Sequence, residues 1–143
     1  MANRTLTGAL VILAFLARAQ DMKPNFAGIW RPVGGVRNAE TRIEQTDSTF
    51  AFAPATEGAA HMIVYPTDGA TTKEHGRRKI TRTGHWEGRD LILESTATFR
   101  FRRRTTREVI SLSEDGRVMK MSFRLVGGVS RDDHEAVFER VGK

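Results

Sequence analysis

Short runs of alternating apolar and polar residues recur along the chain after residue 20. In residues 119–125 the apolar side chains fall on one face of such a run: Met119, Met121, Phe123 and Leu125. A period of two is typical of a half-buried β-strand. No window after residue 20 has the i, i+3, i+4, i+7 spacing of an amphipathic helix. The pattern therefore predicts an all-β fold with an antiparallel sheet that has one solvated face.

Turn residues divide this region into nine predicted strands. Glycine pairs and Asp-Gly or Glu-Gly steps lie between several of the alternating runs. Asp115-Gly116 is the clearest hairpin sequence, and it predicts a type I′ turn, in which both central residues have positive φ. The predicted strands are Phe26–Val33, Thr41–Gln45, Thr49–Ala53, His61–Pro66, Arg77–Trp86, Asp90–Ala97, Phe101–Ser113, Arg117–Val126 and His134–Val141.

Eight or nine hairpin-linked strands leave two sheet edges that have to be protected from pairing with other chains. Closing the sheet into an antiparallel up-and-down barrel removes both edges, and no predicted helix is available to cover an open sheet. A β-sandwich gives the same sequence pattern and remains the alternative. We predict a single barrel domain over residues 20–143.

A different kind of segment precedes the predicted barrel. Arg4 gives a positive start, residues 6–17 are almost wholly apolar, and Ala17-Arg18-Ala19 fits the small-x-small pattern of signal peptidase sites. The apolar run is shorter than the ~20 residues of a membrane-spanning helix. We predict a helical signal peptide over residues 1–19, cleaved after Ala19. The mature chain is then secreted or periplasmic, without a transmembrane span.

Composition narrows the chemistry that the chain can perform. The 143 residues include no cysteine, which excludes thiol catalysis and thiolate metal sites. The formal net charge is +6. In an exported protein a basic surface suits anionic envelope polymers or lipid head groups better than nucleic acid, so we expect no nucleic-acid partner.

The sequence contains no catalytic or metal-binding motif. Its four histidines lack the spacing of metal ligands on a helix or strand: His61, His75, His85 and His134. No serine lies in a Gly-x-Ser-x-Gly elbow, and no glycine-rich loop precedes a predicted helix. We therefore assign no catalytic residue, metal or cofactor.

The first predicted strand opens with Phe26-Ala27-Gly28-Ile29-Trp30. Gly28-x-Trp30 at the start of an all-β chain resembles the opening of lipocalins and related calycin barrels. In that group the tryptophan closes one barrel end, and a basic residue of the last strand packs across it. The resemblance implies that Gly28, Trp30 and Arg140 form a structural plug, with a cation–π contact of about 0.5–2 kcal/mol.

The chain is also similar to a set of small secreted bacterial lipocalin-like domains, most of them uncharacterised. The shared features are turns and core residues: Thr67-Asp68-Gly69, Trp86-Glu87-Gly88, Leu91–Ser95, Leu112–Gly116 and Val137-Phe138. Ile29 departs from the usual threonine, and the first turn, Val33–Asn38, lacks the usual longer loop. The likeness covers nearly the whole mature chain and implies a fold rather than an activity.

Two hypotheses of function follow from a barrel. The first is a binding module, because a barrel of about eight strands can hold one small ligand. The predicted contacts of an apolar or amphipathic ligand are Trp86, Leu91, Met119, Met121 and Phe123, with an inward-facing Arg103 for an anionic head group. The same apolar residues would equally make a filled core. The second is a small hydrolase or isomerase, which requires a general base such as a buried carboxylate–histidine pair at the barrel mouth.

One predicted strand is unusually basic, with two aromatic residues among its arginines: Phe99, Arg100, Phe101, Arg102, Arg103, Arg104 and Arg107. A polyanion-binding or envelope-binding module is therefore a third hypothesis. A charged edge that prevents sheet-to-sheet aggregation explains the arginines as well. The sequence leaves ligand identity and oligomeric state open.

Overall fold

The computed structural model describes residues 22–34, 39–127 and 133–142, so the predicted signal segment lies outside the described residues. Within these ranges there is one short 3-10 helix, Ala59–His61, and there are ten strands. In chain order the strands are β1 (Gly28–Pro32), β2 (Thr41–Gln45), β3 (Thr49–Pro54), β4 (Ile63–Pro66), β5 (Thr71–Glu74), β6 (Lys79–Glu87), β7 (Asp90–Phe99), β8 (Arg102–Leu112), β9 (Val118–Leu125) and β10 (His134–Gly142).

All ten strands form one antiparallel sheet in the order β4-β3-β2-β1-β10-β9-β8-β7-β6-β5. The sheet curls until β4 lies beside β6, where the Pro66 carbonyl oxygen is only 2.6 Å from the position that a Cβ on Gly84 would take. The amide of Gly69 donates to the Gly84 carbonyl at 3.2 Å on the same seam. The result is a nearly closed up-and-down barrel, which confirms the predicted fold class.

Strand β5 is absent from the sequence prediction. Its four residues, Thr-Thr-Lys-Glu, are all exposed and carry no apolar alternation. It forms because Thr71–Glu74 continue the hydrogen-bonding ladder of β6, not because a face is buried. The other nine strands match the predicted ones to within two residues at either end.

The predicted type I′ turn at Asp115-Gly116 is wrong. Gly116 has a φ of +70°, but Asp115 is not among the described residues with positive φ. The loop between β8 and β9 is longer than two residues and begins with a turn in which the Gly116 amide donates to the Ser113 carbonyl at 2.9 Å. Asp115 Oδ1 accepts from the Ser113 hydroxyl at 2.6 Å and from the Arg117 amide at 3.0 Å. Side-chain bonds therefore hold this loop, and only the glycine needs the left-handed conformation.

Cross-strand register places every second residue of each strand inside the barrel. The largest fully buried side chains form a packed core that includes Phe26, Trp30, Phe50, Leu91, Leu93, Ile110 and Met119. Phe26, from the segment before β1, enters this core and lies 6.0 Å from the Phe50 ring and 6.1 Å from the Trp86 ring. We call the end where β1 begins the plug end, and the opposite end, with the β7–β8 turn, the rim end.

Candidate functional site

Arg140 lies over the indole of Trp30 at the plug end. The guanidinium carbon is 4.4 Å from the ring centroid, which is within cation–π range. Arg140 Nε donates to the Gly116 carbonyl at 2.8 Å, Nη2 donates to the Asn25 carbonyl at 2.8 Å, and Nη1 donates to the Ala27 carbonyl. Burial lowers the pKa of Arg140 from its ordinary value. One side chain thus ties together β10, the β8–β9 loop and the segment before β1.

Gly28 makes room for this arginine. Its φ is +141°, and a Cβ there would lie 2.6 Å from the Gly142 carbonyl oxygen and 2.9 Å from Arg140 Nη1. The Trp30 indole nitrogen donates to the Phe26 carbonyl at 2.7 Å. These contacts close the barrel end, so we regard Gly28, Trp30 and Arg140 as structural residues.

Farther toward the rim end, the inner face of the barrel becomes polar. The register pairs Arg82 with Ser95, and it pairs Glu108 with Leu93 on one side and Phe123 on the other. These positions share a face with the buried core residues Leu93 and Ile110. Tyr65 of β4 is buried, and the Arg82 guanidinium carbon lies 5.9 Å from its ring centroid. We call Tyr65, Arg82, Ser95 and Glu108 the inner polar cluster.

Glu108 is the most unusual member of the cluster. Its Oε2 atom is buried and has no hydrogen-bond partner among the described residues. Burial raises the pKa of Glu108, and the positive charge of His134 opposes this rise. The carboxyl group therefore keeps its proton to a higher pH than an exposed glutamate does.

The neighbouring tyrosine responds to the same environment. Burial raises the pKa of Tyr65, and the charge of Glu108 raises it further, whereas Ser95 and Arg82 act in the opposite direction. Arg82 also donates to Glu74 Oε2 at 2.8 Å. The cluster thus combines a guanidinium, a phenol, a hydroxyl and a carboxyl group that binds its proton tightly. Together these groups can hold an oxygen-bearing polar group or exchange a proton with it.

A cleft of about 600 Å³ lies on the outer face of the sheet across β8, β9 and the start of β10. It is lined by residues of β8, β9 and β10 that include Arg107, Ser122, Phe123, Asp133 and His134. The rings of Phe123 and His134 stack there with centroids 4.6 Å apart. Most of the lining residues, among them Arg107, Val109, Ser122 and Arg124, have the outer-face parity of β8 and β9, so the cleft opens outside the barrel and not onto the inner polar cluster.

The apolar residues predicted to contact a ligand mostly belong to the packed core. Leu91 and Met119 are fully buried in it, and Trp86 and Met121 pack against it. The Trp86 indole nitrogen is buried without a hydrogen-bond partner in the described part of the chain. Phe123 alone among the five lines the outer cleft across β8, β9 and β10.

The expectation that Arg103 faces the barrel interior is wrong. The short turn at Arg100-Phe101 sets a register in which Phe99 pairs with Arg102 and Thr98 with Arg103. In this register the even-numbered residues of β8 share the inner face with Ile110, so Arg103 lies on the outer face and is exposed. The sequence prediction treated residues 99 and 101 as part of one continuous alternation and therefore missed the turn.

The inner polar cluster was not predicted as a site. Glu108 has the same parity along β8 as the apolar residues Ile110 and Leu112, so alternation alone places a carboxyl group on a buried face. The same reasoning applies to Arg82, which shares its parity with Trp86. Tyr65 gives no comparable indication, because a lone tyrosine in a short strand is compatible with either face.

The fold and the inner cluster define a class, the small antiparallel up-and-down barrels, and the architecture is compatible with a lipocalin-like fold. No protein-family model, curated protein or solved structure matches the chain. In the ranges that the structure covers, no helix has the length and apolar character needed to cross a bilayer. The same ranges contain no group of three or more His, Asp or Glu residues placed to hold a metal ion.

Proposed function

We propose that the protein is an exported barrel that binds a small amphipathic molecule at the inner polar cluster. The observation that carries this proposal is the buried Oε2 of Glu108, which has no hydrogen-bond partner among the described residues and whose charge acts on the buried Tyr65. A buried polar atom without a partner costs about 1–3 kcal/mol, and a ligand group that pairs with it recovers this free energy. A bound ligand that forms a hydrogen bond with Glu108 Oε2 would therefore lower the free energy of the cluster.

The chemistry of the cluster limits the ligand. Arg82 and the Tyr65 hydroxyl are hydrogen-bond donors, and Glu108 is one whenever it is protonated, so these groups suit a ligand oxygen such as a carbonyl, hydroxyl or carboxylate. Apolar side chains share the inner face nearby, among them Phe52, Met121 and Phe123. A molecule with one oxygen-bearing head and a short apolar body fits both features.

The first experiment is native mass spectrometry of the protein purified from its own host. We expect a co-purifying small molecule that is lost in the variants Tyr65→Phe and Glu108→Gln, which keep side-chain size. Glu94→Gln is the matched control, because Glu94 pairs with Arg107 on the outer face of β7. A molecule retained equally by all variants, or no molecule in the wild type, would contradict the proposal.

A dye measures affinity without knowledge of the natural ligand. Anilinonaphthalene sulfonate is amphipathic and carries one anionic oxygen group, and we expect it to bind the wild type. Removing one hydrogen bond with Tyr65→Phe weakens binding about tenfold if the head group lies at the cluster. Arg103→Gln controls for binding to the exposed arginines. A larger effect of Arg103→Gln than of Tyr65→Phe would place the dye elsewhere and count against the cluster.

Export is a separate part of the proposal, and it depends on the apolar segment before residue 20. N-terminal sequencing of the protein from the periplasm or culture medium tests it directly. The expected first residue is Gln20. A chain that keeps residues 1–19, or that stays in the cytoplasmic fraction, contradicts export and leaves the binding site unaffected.

A second candidate function is a proton-transfer enzyme, such as an isomerase, and the raised pKa of Glu108 favours it. A carboxyl group whose pKa is raised by burial is suited to act as a general acid or base. The test is incubation of the co-purified molecule with the protein in deuterium oxide. Deuterium uptake into a carbon position that is abolished by Glu108→Gln supports an enzyme, and no uptake with the wild type leaves a binding module.

A further inference from the structure

The rim end of the barrel is strongly basic. The β7–β8 turn lies beside the β5–β6 hairpin there, since the Arg78 guanidinium carbon is 5.9 Å from the Phe99 ring centroid. Six arginines from these two hairpins form what we call the basic rim: Arg77, Arg78, Arg100, Arg102, Arg103 and Arg104. All six are exposed.

The positive charge of the basic rim is not neutralised within the described part of the chain. The ion pairs that these ranges contain involve other basic residues, such as Arg31, Arg82 and Arg107, and none involves a rim arginine. Exposed guanidinium groups without a carboxylate partner attract anions, and their fork geometry matches phosphate. The rim is therefore electrostatically complementary to an anionic surface.

Apolar side chains project from the same place. Phe101 is fully exposed, and Phe99 and Val126 are about half exposed. The pairing of Phe99 with Arg102 leaves only Arg100 and Phe101 in the turn, and Arg100 takes a φ of +52°, the sole non-glycine residue with positive φ in the described ranges. So short a turn holds Phe101 away from the barrel, where its ring cannot fold back onto the core.

We propose that the basic rim docks onto an anionic lipid surface, with Phe101 inserted below the head groups and the rim arginines on the lipid phosphates. Apolar insertion combined with electrostatic attraction is the usual basis of reversible binding to an anionic bilayer. A groove of about 570 Å³ beside Phe101, lined by Arg102, Arg103, Arg104 and Leu125, offers space for a head group. This inference does not depend on the ligand proposed for the barrel interior.

The position of the aromatic residue favours lipid over a single-stranded nucleic acid. Nucleic-acid binders of this kind stack successive bases on aromatic platforms along a groove. Here Phe101 stands at the tip of a hairpin, and its nearest exposed apolar companions, Phe99 and Val126, lie behind the tip. A projecting apolar tip surrounded by cations fits a bilayer interface better than a base stack.

Vesicle sedimentation tests the proposal with the purified protein. We expect no binding to phosphatidylcholine vesicles and clear binding when phosphatidylglycerol is mixed in. Binding falls as salt rises above ~0.1 M, because the Debye length drops below about 10 Å. Equal binding to the neutral and the anionic vesicles would overturn the proposal.

Variants separate the rim from the general charge of the protein. Phe101→Ser is expected to weaken binding roughly tenfold, from the apolar area that no longer inserts. Arg102→Gln and Arg103→Gln are each expected to weaken it about fivefold. Arg89→Gln is the matched control, since Arg89 is an exposed arginine in the β6–β7 turn at the plug end. A loss in Arg89→Gln as large as that in Arg103→Gln would overturn a docking role of the rim.

The absence of cysteine allows a direct test of insertion. A nitrobenzoxadiazole fluorophore on Phe101→Cys should brighten on anionic vesicles, whereas the same fluorophore on Arg89→Cys should keep its intensity in buffer. Equal brightening at both positions overturns the orientation. Tighter binding to a single-stranded oligonucleotide than to the vesicles, at the same ionic strength, overturns the choice of lipid.

Discussion

Glu108 marks the point where the inner face of the barrel changes from apolar core residues to polar side chains. Its neighbours on the inner face are Leu93 on one side and Phe123 on the other, so its charge is poorly solvated. Glu108 therefore keeps its proton to a higher pH in the folded protein than in the unfolded chain, so the free energy of unfolding depends on pH through this residue.

The pH dependence of unfolding should reveal this group. Burial raises the pKa of Glu108 above its ordinary value of 4.5, so the folded protein holds the proton more tightly than the unfolded chain does. The contribution of Glu108 to the free energy of unfolding is fully present below pH 4.5. It is lost as the pH rises through the folded pKa, by about 1.4 kcal/mol for each pH unit of that window.

Urea denaturation of Glu108→Gln at a series of pH values measures the effect. Glutamine cannot ionise, so the variant loses less stability than the wild type between pH 4.5 and the folded pKa, and it is the more stable protein above that window. Glu114→Gln, in the exposed β8–β9 loop, should keep the slope of the wild type. Parallel curves for the wild type and Glu108→Gln would show that residue 108 is not the group responsible.

Gly28 allows Arg140 and Gly142 to pack closely against β1 because it has no side chain. Gly28→Ala would bring a Cβ against the Gly142 carbonyl and Arg140 at a φ of +141°. We expect a loss of about 3 kcal/mol in the free energy of unfolding. Gly58→Ala is the control, because Gly58 has a φ of −72° and nothing within 4 Å of the added atom. A loss of under 1 kcal/mol would mean that the plug adjusts easily.

Single residues differ in how far the sequence reveals them. Trp30 and Arg140 were found through a family resemblance that depends on their places in the first and last strands. Arg103 was placed on the wrong face, because one two-residue turn shifts the parity of everything after it. The inner polar cluster was missed because Tyr65 and Glu108 come from strands far apart in sequence, and only barrel closure brings them together.

Strand β5 has the weakest attachment of the ten. It pairs with β6 on one side, all four of its side chains are exposed, and its contacts with β4 are few. By contrast, β7 lies between β6 and β8 and carries Leu91, Ile92 and Leu93 in buried positions. The free energy of local opening should therefore be lower for β5 than for β7.

Hydrogen exchange followed by mass spectrometry tests this difference. We expect the amides of Thr71–Glu74 to exchange well before those of Leu91–Leu93, since opening β5 exposes no core. Peptides covering β5 and β7 provide the comparison within one sample. Equal protection in the two peptides would indicate that β5 is covered by a contact other than its pairing with β6.

Strands with a buried face were predictable from the sequence, whereas β5, which buries no face, was not. Alternation in sequence records which side chains leave water, so strands such as β7 and β9 are visible in it. A strand that adds only backbone hydrogen bonds leaves no such record. The turn at Asp115-Gly116 shows a similar limit, because Asp-Gly specifies a tight turn but not whether side chains extend the loop.

At the scale of the whole molecule, the two ends of the barrel differ in the side chains that they carry. The plug end is closed by Trp30 and Arg140 and is tied to the segment before β1. The rim end carries exposed aromatic side chains, and its six arginines form no ion pair within residues 22–34, 39–127 and 133–142. The barrel itself was predictable from the edge argument. The difference between the plug end and the rim end was not predictable, because it depends on which loops lie together at each end once the sheet has closed.

The seam of the barrel and the ends of the described chain lie in different places. Strands β1 and β10 are paired neighbours, while the seam falls in mid-chain between β4 and β5. A circular permutant that joins Gly142 to Pro24 with a short glycine-serine linker, and opens between Asp68 and Gly69, would meet its partners strictly in sequence order. Its one distant ladder pairing becomes local, while the contact between β4 and β6 across the seam becomes distant. Because β1 and β10 form a hydrogen-bonded ladder and β4 and β6 do not, we expect stopped-flow refolding to be faster than that of the parent. Slower refolding would show that pairing β1 with β10 is not a slow step in assembling the parent chain.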